Sequence, residues 1–204
     1  LENFPAVGGS SPNSIAATNK FVYVSNGSND SISVIHTNGK KREHDIDLKL
    51  DPRVDHLRGM IPFGVALSPD KNTLYVAEAG INAVGVIRLS DHKVLGHIPT
   101  AWFPSKLAVS PDGARLYVAC AKGIGSGPNA GANWNPNDPT GIGALMRGYV
   151  NVIDLPATQA QLDEMTQKVI ANNVTFYPPS DDKRPQGFPV PPHKGAWPSP
   201  IKHV

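Results

Sequence analysis

The sequence predicts an all-β fold: a β-propeller segment of about three four-stranded blades that form an incomplete ring, followed by one helix and a Pro-rich linker. The segment Leu-Tyr-Val-Ala occurs twice, at residues 74–77 and 116–119, and each copy follows a Ser-Pro-Asp turn. The two copies lie 42 residues apart, a period typical of propeller blades. The 20 Pro and 19 Gly residues also favour many short strands over long helices.

The blades can be placed by extending this repeat in both directions. A degenerate copy lies upstream, so that Tyr23, Tyr75 and Tyr117 are equivalent positions. Each copy continues into a third apolar run, and the first two add a fourth, as expected of four-stranded blades. The predicted blades cover residues 11–50, 59–101 and 102–156 of a propeller region that spans residues 1–156.

Period-2 alternation predicts which side chains of each blade's first strand share a face. One set is expected to pack between blades: Ile15, Ala17, Val65, Leu67, Leu107 and Val109. The other set is expected to line the central channel: Ser14, Ala16, Gly64, Ala66, Lys106 and Ala108. Lys106 stands out in this second set. It is interpreted either as a lysine that reaches the channel mouth or as a cation that faces a ligand.

Three blades are too few to close a ring, because propellers usually have four to eight. An open arc would expose two large apolar flanks, which soluble monomers avoid. The chain is therefore predicted to be part of a larger assembly, completed by further blades or by another chain.

Three segments depart from the blade pattern. About two dozen Gly-, Asn- and Pro-rich residues, 122–148, form a long insertion in the third blade, and loops of this length are often functional. Residues 157–172 carry an apolar stripe typical of a docking helix. Residues 173–204 are Pro-dense and read as an extended linker that leads toward a following domain.

The blade signature Ser-Pro-Asp-x3-Leu-Tyr-Val-Ala resembles the YVTN family of bacterial β-propeller repeats over residues 10–156. A more specific likeness involves residues 119–129 and 147–153, the helix, and the terminal Ile-Lys-His-Val at residues 201–204. This order looks like the junction in secreted bacterial proteins that join a YVTN propeller to a metal-dependent phosphoesterase domain of the alkaline-phosphatase type.

The resemblance implies that this chain is a non-catalytic scaffold that positions or covers a phosphoesterase domain. In such proteins the nucleophile and the metal ligands follow the terminal strand, so no cofactor is expected in this chain and divalent metal ions are expected in the associated domain. The implied partners are the remaining blades and the phosphoesterase domain, or another chain that completes the ring. The implied location is periplasmic or secreted. Whether the chain is itself an enzyme stays open.

Two alternatives remain at this stage: a self-sufficient propeller enzyme of the lactonase type with a metal in its channel, and a protein-binding or surface-layer propeller. No catalytic or metal-binding set is predicted, because none of the seven His forms an HxH, HxxxH or HExxH pair. A cluster of His44, Asp45 and Asp47 is interpreted as solvated loop polars. Cys120 is interpreted as a small buried group, and Asp70 and Asp112 as turn residues.

Composition excludes two further classes of partner. The net charge is +2 with no extended basic patch, which argues against nucleic acid, and no apolar run is long enough for a membrane span. The residues predicted to bind a ligand or partner are Lys106, Lys122, Trp134 and Arg147. The last three lie in the 122–148 loop, which is expected to contact the missing domain, with Lys122 and Arg147 attracting an anionic phosphoester.

Overall fold

The computed structural model describes residues 10–38, 41–123 and 148–174 of the 204-residue chain. The chain divides into two units, Leu1–Val174 and Thr175–Val204. The second unit falls outside the described residues, and so does nearly all of the predicted Pro-rich linker.

Within the described residues, eleven strands form three antiparallel sheets that correspond to the predicted blades. Blade 1 contains β1 to β4, which are Pro12–Ala17, Phe21–Asn26, Ser31–His36 and Lys41–Asp47. Blade 2 contains β5 to β8, which are Pro62–Leu67, Thr73–Glu78, Ala83–Arg88 and Lys93–Pro99. Blade 3 contains β9 to β11, which are Pro104–Val109, Arg115–Cys120 and Tyr149–Asp154. The strands of each blade are paired in sequence order, which confirms the predicted fold class.

The Ser-Pro-Asp turns connect the first and second strands of blades 2 and 3. In blade 2 the Ser68 hydroxyl donates to the Asp70 carboxylate at 2.5 Å and accepts the Thr73 N–H at 3.0 Å. The turn of blade 3 repeats this arrangement, with the Ser110 hydroxyl accepting the Arg115 N–H at 2.8 Å. The hydrogen bonds that Asp70 accepts from the Ser68 hydroxyl and from the Asn72 N–H lower the pKa of its carboxyl group. The carboxylate acts as a turn residue, as predicted.

Two apolar clusters hold the three blades together, one at each junction. Between blades 1 and 2 the buried side chains include Tyr23, Val34, Leu74 and Val76, with Val65 and Leu67 packed against them. Between blades 2 and 3 they include Tyr75, Val86, Leu116 and Val118, with Leu107 and Val109 packed against them. The interblade packing predicted for these four first-strand residues is confirmed.

The channel-facing positions predicted for Ser14, Ala16 and Gly64 are wrong, because these residues turn toward the following blade. Ala16 packs into the cluster between blades 1 and 2. A Cβ on Gly64 would lie 2.5 Å from the Ser105 carbonyl oxygen of blade 3. Alternation thus separates the side that meets the preceding blade from the side that meets the following blade. Ile15 lies on the side of blade 1 that would meet a preceding blade, and it is 66% exposed.

The helix α1 spans Gln159–Asn173 and packs against β8 of blade 2. It begins with a capping box, in which the Thr158 side chain accepts the Gln161 N–H and the Gln161 side chain returns to the backbone of Thr158. Leu162 and Val169 are its buried residues. Gly96 of β8 permits this packing, since a Cβ there would lie 2.5 Å from the Thr166 Oγ1.

Candidate functional site

No described residue of this chain covers the side of blade 3 that would meet a following blade. We call it the open face, and it consists of Lys106, Ala108, Tyr117, Ala119, Val150 and Val152. Val150 and Val152 are 66% and 60% exposed. An ion pair between Arg115 and Asp154, with 3.2 Å between its nitrogen and oxygen, lies at one end. The open face is therefore an apolar sheet surface with one cation, Lys106, within it.

The repeat shows what this surface lacks. Tyr23 and Tyr75 occupy the position of Tyr117 in blades 1 and 2, and they are 1% and 8% exposed because the next blade covers them. Lys106 occupies the position of Ser14 and Gly64, where the next blade's backbone comes close. An element that covers blade 3 therefore has to accommodate a lysine where the earlier blades have small residues.

Side-chain clamps join each of the first two blades to the entry of the next. The Asp30 carboxylate accepts the N–H of Gly59 at 2.7 Å and that of Ile61 at 3.0 Å. At the equivalent position of blade 2, the Asn82 side chain accepts the Phe103 N–H at 2.9 Å. In blade 3 this position, directly before β11, is Gly148. Because glycine has no side chain, blade 3 carries no such clamp at this position.

The residues predicted to bind a ligand or partner are partly within the described structure. Lys106 lies exposed on the open face. Lys122 lies at the start of the long loop, with its Nζ 4.8 Å from the centroid of the Phe103 ring. Trp134 and Arg147 lie outside the described residues. Of the four predicted residues, the structure therefore describes Lys106 and Lys122.

A buried ion pair, which the sequence analysis did not identify, links two strands of blade 2. The His97 Nδ1 lies 2.7 Å from the Glu78 Oε2, and both side chains are almost fully buried. Burial alone would lower the pKa of His97, but the Glu78 charge, its hydrogen bond and a backbone hydrogen bond at Lys49 outweigh it and raise the pKa. The second carboxylate oxygen, Oε1, has no hydrogen-bond partner among the described residues and points toward Gly85.

A second polar site lies in a groove of about 680 Å³ between blades 1 and 2. There the His92 Nδ1 lies 3.0 Å from the His44 Nε2, and the Tyr23 hydroxyl lies 3.3 Å from the His92 Nε2. Burial and the nearby His44 lower the pKa of His92. The groove is also lined by Lys20 and Glu43.

The sequence offered no motif for either histidine site. His44 and His92 lie 48 residues apart, in different blades, and meet because blade packing brings their hairpins together. His44, Asp45 and Asp47, which the sequence indicates as solvated loop residues, instead lie on strand β4. Asp45 accepts hydrogen bonds from the Ser33 hydroxyl at 2.8 Å and from the Arg42 Nε at 2.9 Å. A useful signal would have been that His44 interrupts the repeat, since Gly96 holds its position in blade 2.

Three further findings concern the described part of the chain. Cys120 is 1% exposed, and burial raises the pKa of its thiol. Among residues 10–38, 41–123 and 148–174, no group of three or more His, Cys, Asp or Glu side chains converges as a ready-made metal site. The helix found in these same ranges is neither long nor apolar enough to cross a membrane.

Comparison with known proteins supports the fold. No family model matches the chain, and no curated protein matches it either. The structure of hydrazine synthase from Kuenenia stuttgartiensis is similar over 79% of this chain, with 21% identity and a TM-score of 0.53. Candidate 6-phosphogluconolactonases from Bacteroides fragilis and Bacteroides uniformis share 20% and 16% identity over 58% and 54% of this chain, with TM-scores of 0.48 and 0.44.

These similarities involve only part of each known structure. The chain spans 37% of the length of the hydrazine synthase chain and 34% of each of the other two. At this level of identity the first likeness shows the fold alone. Together with the three stacked sheets, it shows that the chain is a β-propeller segment with an open ring.

Proposed function

We propose that this chain is a non-catalytic β-propeller scaffold, whose open face packs against a further blade outside the chain, in a secreted or periplasmic bacterial protein. Its role there is to position or cover a metal-dependent phosphoesterase domain. The observation that carries the scaffold role is Tyr117, which is 37% exposed although both of its repeat equivalents are buried between blades.

A further blade is the occupant that the repeat favours. The first two junctions bury the same tyrosine position beneath apolar residues from the next blade's first two strands. The open face continues this series with Tyr117, Val150 and Val152. A covering blade needs an acceptor opposite Lys106, because a buried ammonium group without a partner is strongly destabilising.

The phosphoesterase part of the proposal is supported by the family resemblance of residues 119–129, 147–153 and 201–204. It is also supported by the position of the long loop. The loop leaves blade 3 between β10 and β11, and loops held by a rigid scaffold commonly carry binding residues. Lys122 at its base supplies one positive charge suited to a phosphoester.

The test compares the chain with the longer parent protein that we propose contains it. Hydrogen exchange at β11, Tyr149–Asp154, should be slower in the parent, because a further blade would bury this strand. Equal exchange in the two proteins would overturn the open-face proposal. Independently, the parent should hydrolyse p-nitrophenyl phosphate in a metal-dependent manner while the chain alone does not. A parent that is inactive with every divalent metal would overturn the phosphoesterase role only.

A further inference from the structure

The groove between blades 1 and 2 contains two imidazole nitrogens that face each other. The His92 Nδ1 and the His44 Nε2 are 3.0 Å apart, and their rings are tilted by 45°. Two imidazoles bound to one tetrahedral zinc ion place their nitrogens about 3.3 Å apart, since each Zn–N bond is about 2.0 to 2.1 Å. The observed spacing therefore needs only a small adjustment of either ring to share a metal ion.

Tyr23 holds His92 in the orientation that this geometry requires. Its hydroxyl lies 3.3 Å from the His92 Nε2, and the tyrosine itself is 1% exposed and fixed in the interblade cluster. A histidine that binds a metal through one nitrogen usually donates its other N–H to such a neighbour, which fixes the tautomer. With Nε2–H directed at Tyr23, the lone pair of Nδ1 is directed at His44.

The blade fold does not require these histidines, as the next junction shows. The fourth strand of each of the first two blades has a β-bulge at the same position, which is Glu43 in blade 1 and Leu95 in blade 2. The residue that follows the bulge is His44 in blade 1 and Gly96 in blade 2. The groove beside Tyr75, the equivalent of Tyr23, is lined by no histidine. Bulges often redirect a side chain beside a functional site, and here the residue after the bulge meets a histidine of the next blade.

The groove also has room for the remaining coordination positions. It measures about 680 Å³ and is open to solvent at His44, whose side chain is exposed. Glu43 also lines the groove, but within residues 10–38, 41–123 and 148–174 it does not converge with the two imidazoles as a third ligand. Water can complete the shell that the two imidazoles begin.

We infer that His44 and His92 form a binding site for a divalent transition-metal ion of the class that prefers imidazole ligands, such as Zn²⁺ or Cu²⁺. The site is independent of the proposed phosphoesterase domain. It lies beside the β1–β2 and β5–β6 turns, whereas the long loop leaves from the other end of the strands. A metal ion bound there would join the hairpins of blades 1 and 2.

Calorimetric titration of the metal-stripped chain with Zn²⁺ tests the site. We expect one zinc ion per chain, loss of that binding in His44→Gln and in His92→Gln, and unchanged binding in the control His56→Gln, whose histidine lies in the linker between blades 1 and 2. Binding that survives in the double variant His44→Gln/His92→Gln would overturn the inference. So would the absence of zinc binding by the unaltered chain, which would leave the pair as a hydrogen bond only.

Two further measurements do not depend on removing a ligand. Tyr23→Phe keeps the ring but loses the hydroxyl, and it should weaken zinc binding by about tenfold, the usual effect of losing such a supporting group. Electron paramagnetic resonance of the unaltered chain with one equivalent of Cu²⁺ should show coupling to two imidazole nitrogens. Coupling to none or only one would contradict the assignment, even if a variant failed to fold.

Discussion

Tyr75 and Tyr117 occupy the same position in successive blades, yet Tyr75 is 8% exposed and Tyr117 is 37% exposed. Each is paired across its blade with an alanine, Ala66 and Ala108, so the local sheet is the same. The difference lies in the neighbour, because blade 3 covers Tyr75 and no described residue of this chain covers Tyr117 in the same way. The difference in exposure between the two tyrosines therefore shows how much a following blade buries at this position.

The first prediction concerns self-association through the open face. At micromolar concentration the chain should form dimers or larger species, because an exposed apolar sheet face favours association. Tyr117→Lys should shift light scattering toward the monomer with little change in thermal midpoint. Tyr75→Lys is the matched control and should unfold the chain, since its ammonium group would be buried. A monodisperse monomer of the unaltered chain would contradict this prediction.

The second prediction concerns the strand core of blade 3. Val118 is 0% exposed, whereas Val152 of the neighbouring strand is 60% exposed on the open face. Val118→Asp should lower the free energy of unfolding by about 3 kcal/mol or more, because it buries a charge without a partner. Val152→Asp should cost less than about 1 kcal/mol in the isolated chain. Urea denaturation of the two variants compares them directly, and equal losses would show that the face assignment is wrong.

The blades could be predicted from sequence because the repeat is visible in it. The Ser-Pro-Asp turn and the Leu-Tyr-Val-Ala strand recur at a constant interval, and both carry local chemistry that specifies a turn and a strand. The direction of first-strand side chains could not be predicted fully. Alternation separates two faces, but it does not say whether Gly64 and Lys106 meet a channel or a neighbouring blade.

The two histidine sites could not be predicted because their members are brought together by packing. Glu78 and His97 lie on different strands of one blade, and the register of β6, β7 and β8 is what brings them together. His44 and His92 belong to different blades. The sequence contains no spacing rule for either pair, so the structure was needed to find them.

The third prediction concerns pH and the buried pair in blade 2. The pKa of His97 is raised in the folded chain, chiefly by Glu78 acting against the effect of burial. The stabilisation that this shift provides is fully present below the unfolded pKa of about 6.5 and is lost as pH rises through the higher folded pKa. The free energy of unfolding of the unaltered chain, minus that of His97→Gln, should therefore decrease as pH rises above about 6.5.

The control for this pH dependence is Glu78→Gln, which removes the partner charge but keeps the volume of the side chain. It should abolish the same pH-dependent component, as measured by urea denaturation across the pH series. A difference between the unaltered chain and His97→Gln that does not vary with pH would show that His97 is not linked to stability through its proton.

The fourth prediction concerns the docking of the helix on blade 2. Gly96→Val should displace α1, because even a Cβ at this position would lie 2.5 Å from the Thr166 Oγ1 and 2.9 Å from the Leu162 Cγ. Limited proteolysis should then cut within Gln159–Asn173 faster than in the unaltered chain. Gly148→Ala is a suitable control, since among the described residues its Cβ would meet only the Cys120 carbonyl oxygen, at 3.5 Å. Equal cleavage of Gly96→Val and the control would contradict the role given to Gly96.

The fifth prediction concerns the long loop between β10 and β11. Cys120 and Tyr149 are register partners, as are Glu78 and Ala83 in blade 2, where four residues, 79–82, make the connection. Residues 121–148 can therefore be replaced by the same Ala-Gly-Ile-Asn turn without breaking the ladder. The shorter connection should stabilise the isolated chain by about 2 kcal/mol, since closing a shorter loop costs less entropy.

In the proposed longer parent protein, the same replacement should have the opposite consequence for function. If the loop contacts the phosphoesterase domain, the replacement should weaken domain association and reduce the turnover of p-nitrophenyl phosphate, even though the blades are more stable. We expect this loss of turnover because Lys122 and Arg147 are predicted to attract an anionic substrate. The loop, including Trp134, is also predicted to contact the domain. A second parent variant, Lys122→Gln, separates the effect of charge from that of loop length. Unchanged kinetics and unchanged domain association in the shortened parent would eliminate a functional role for the loop.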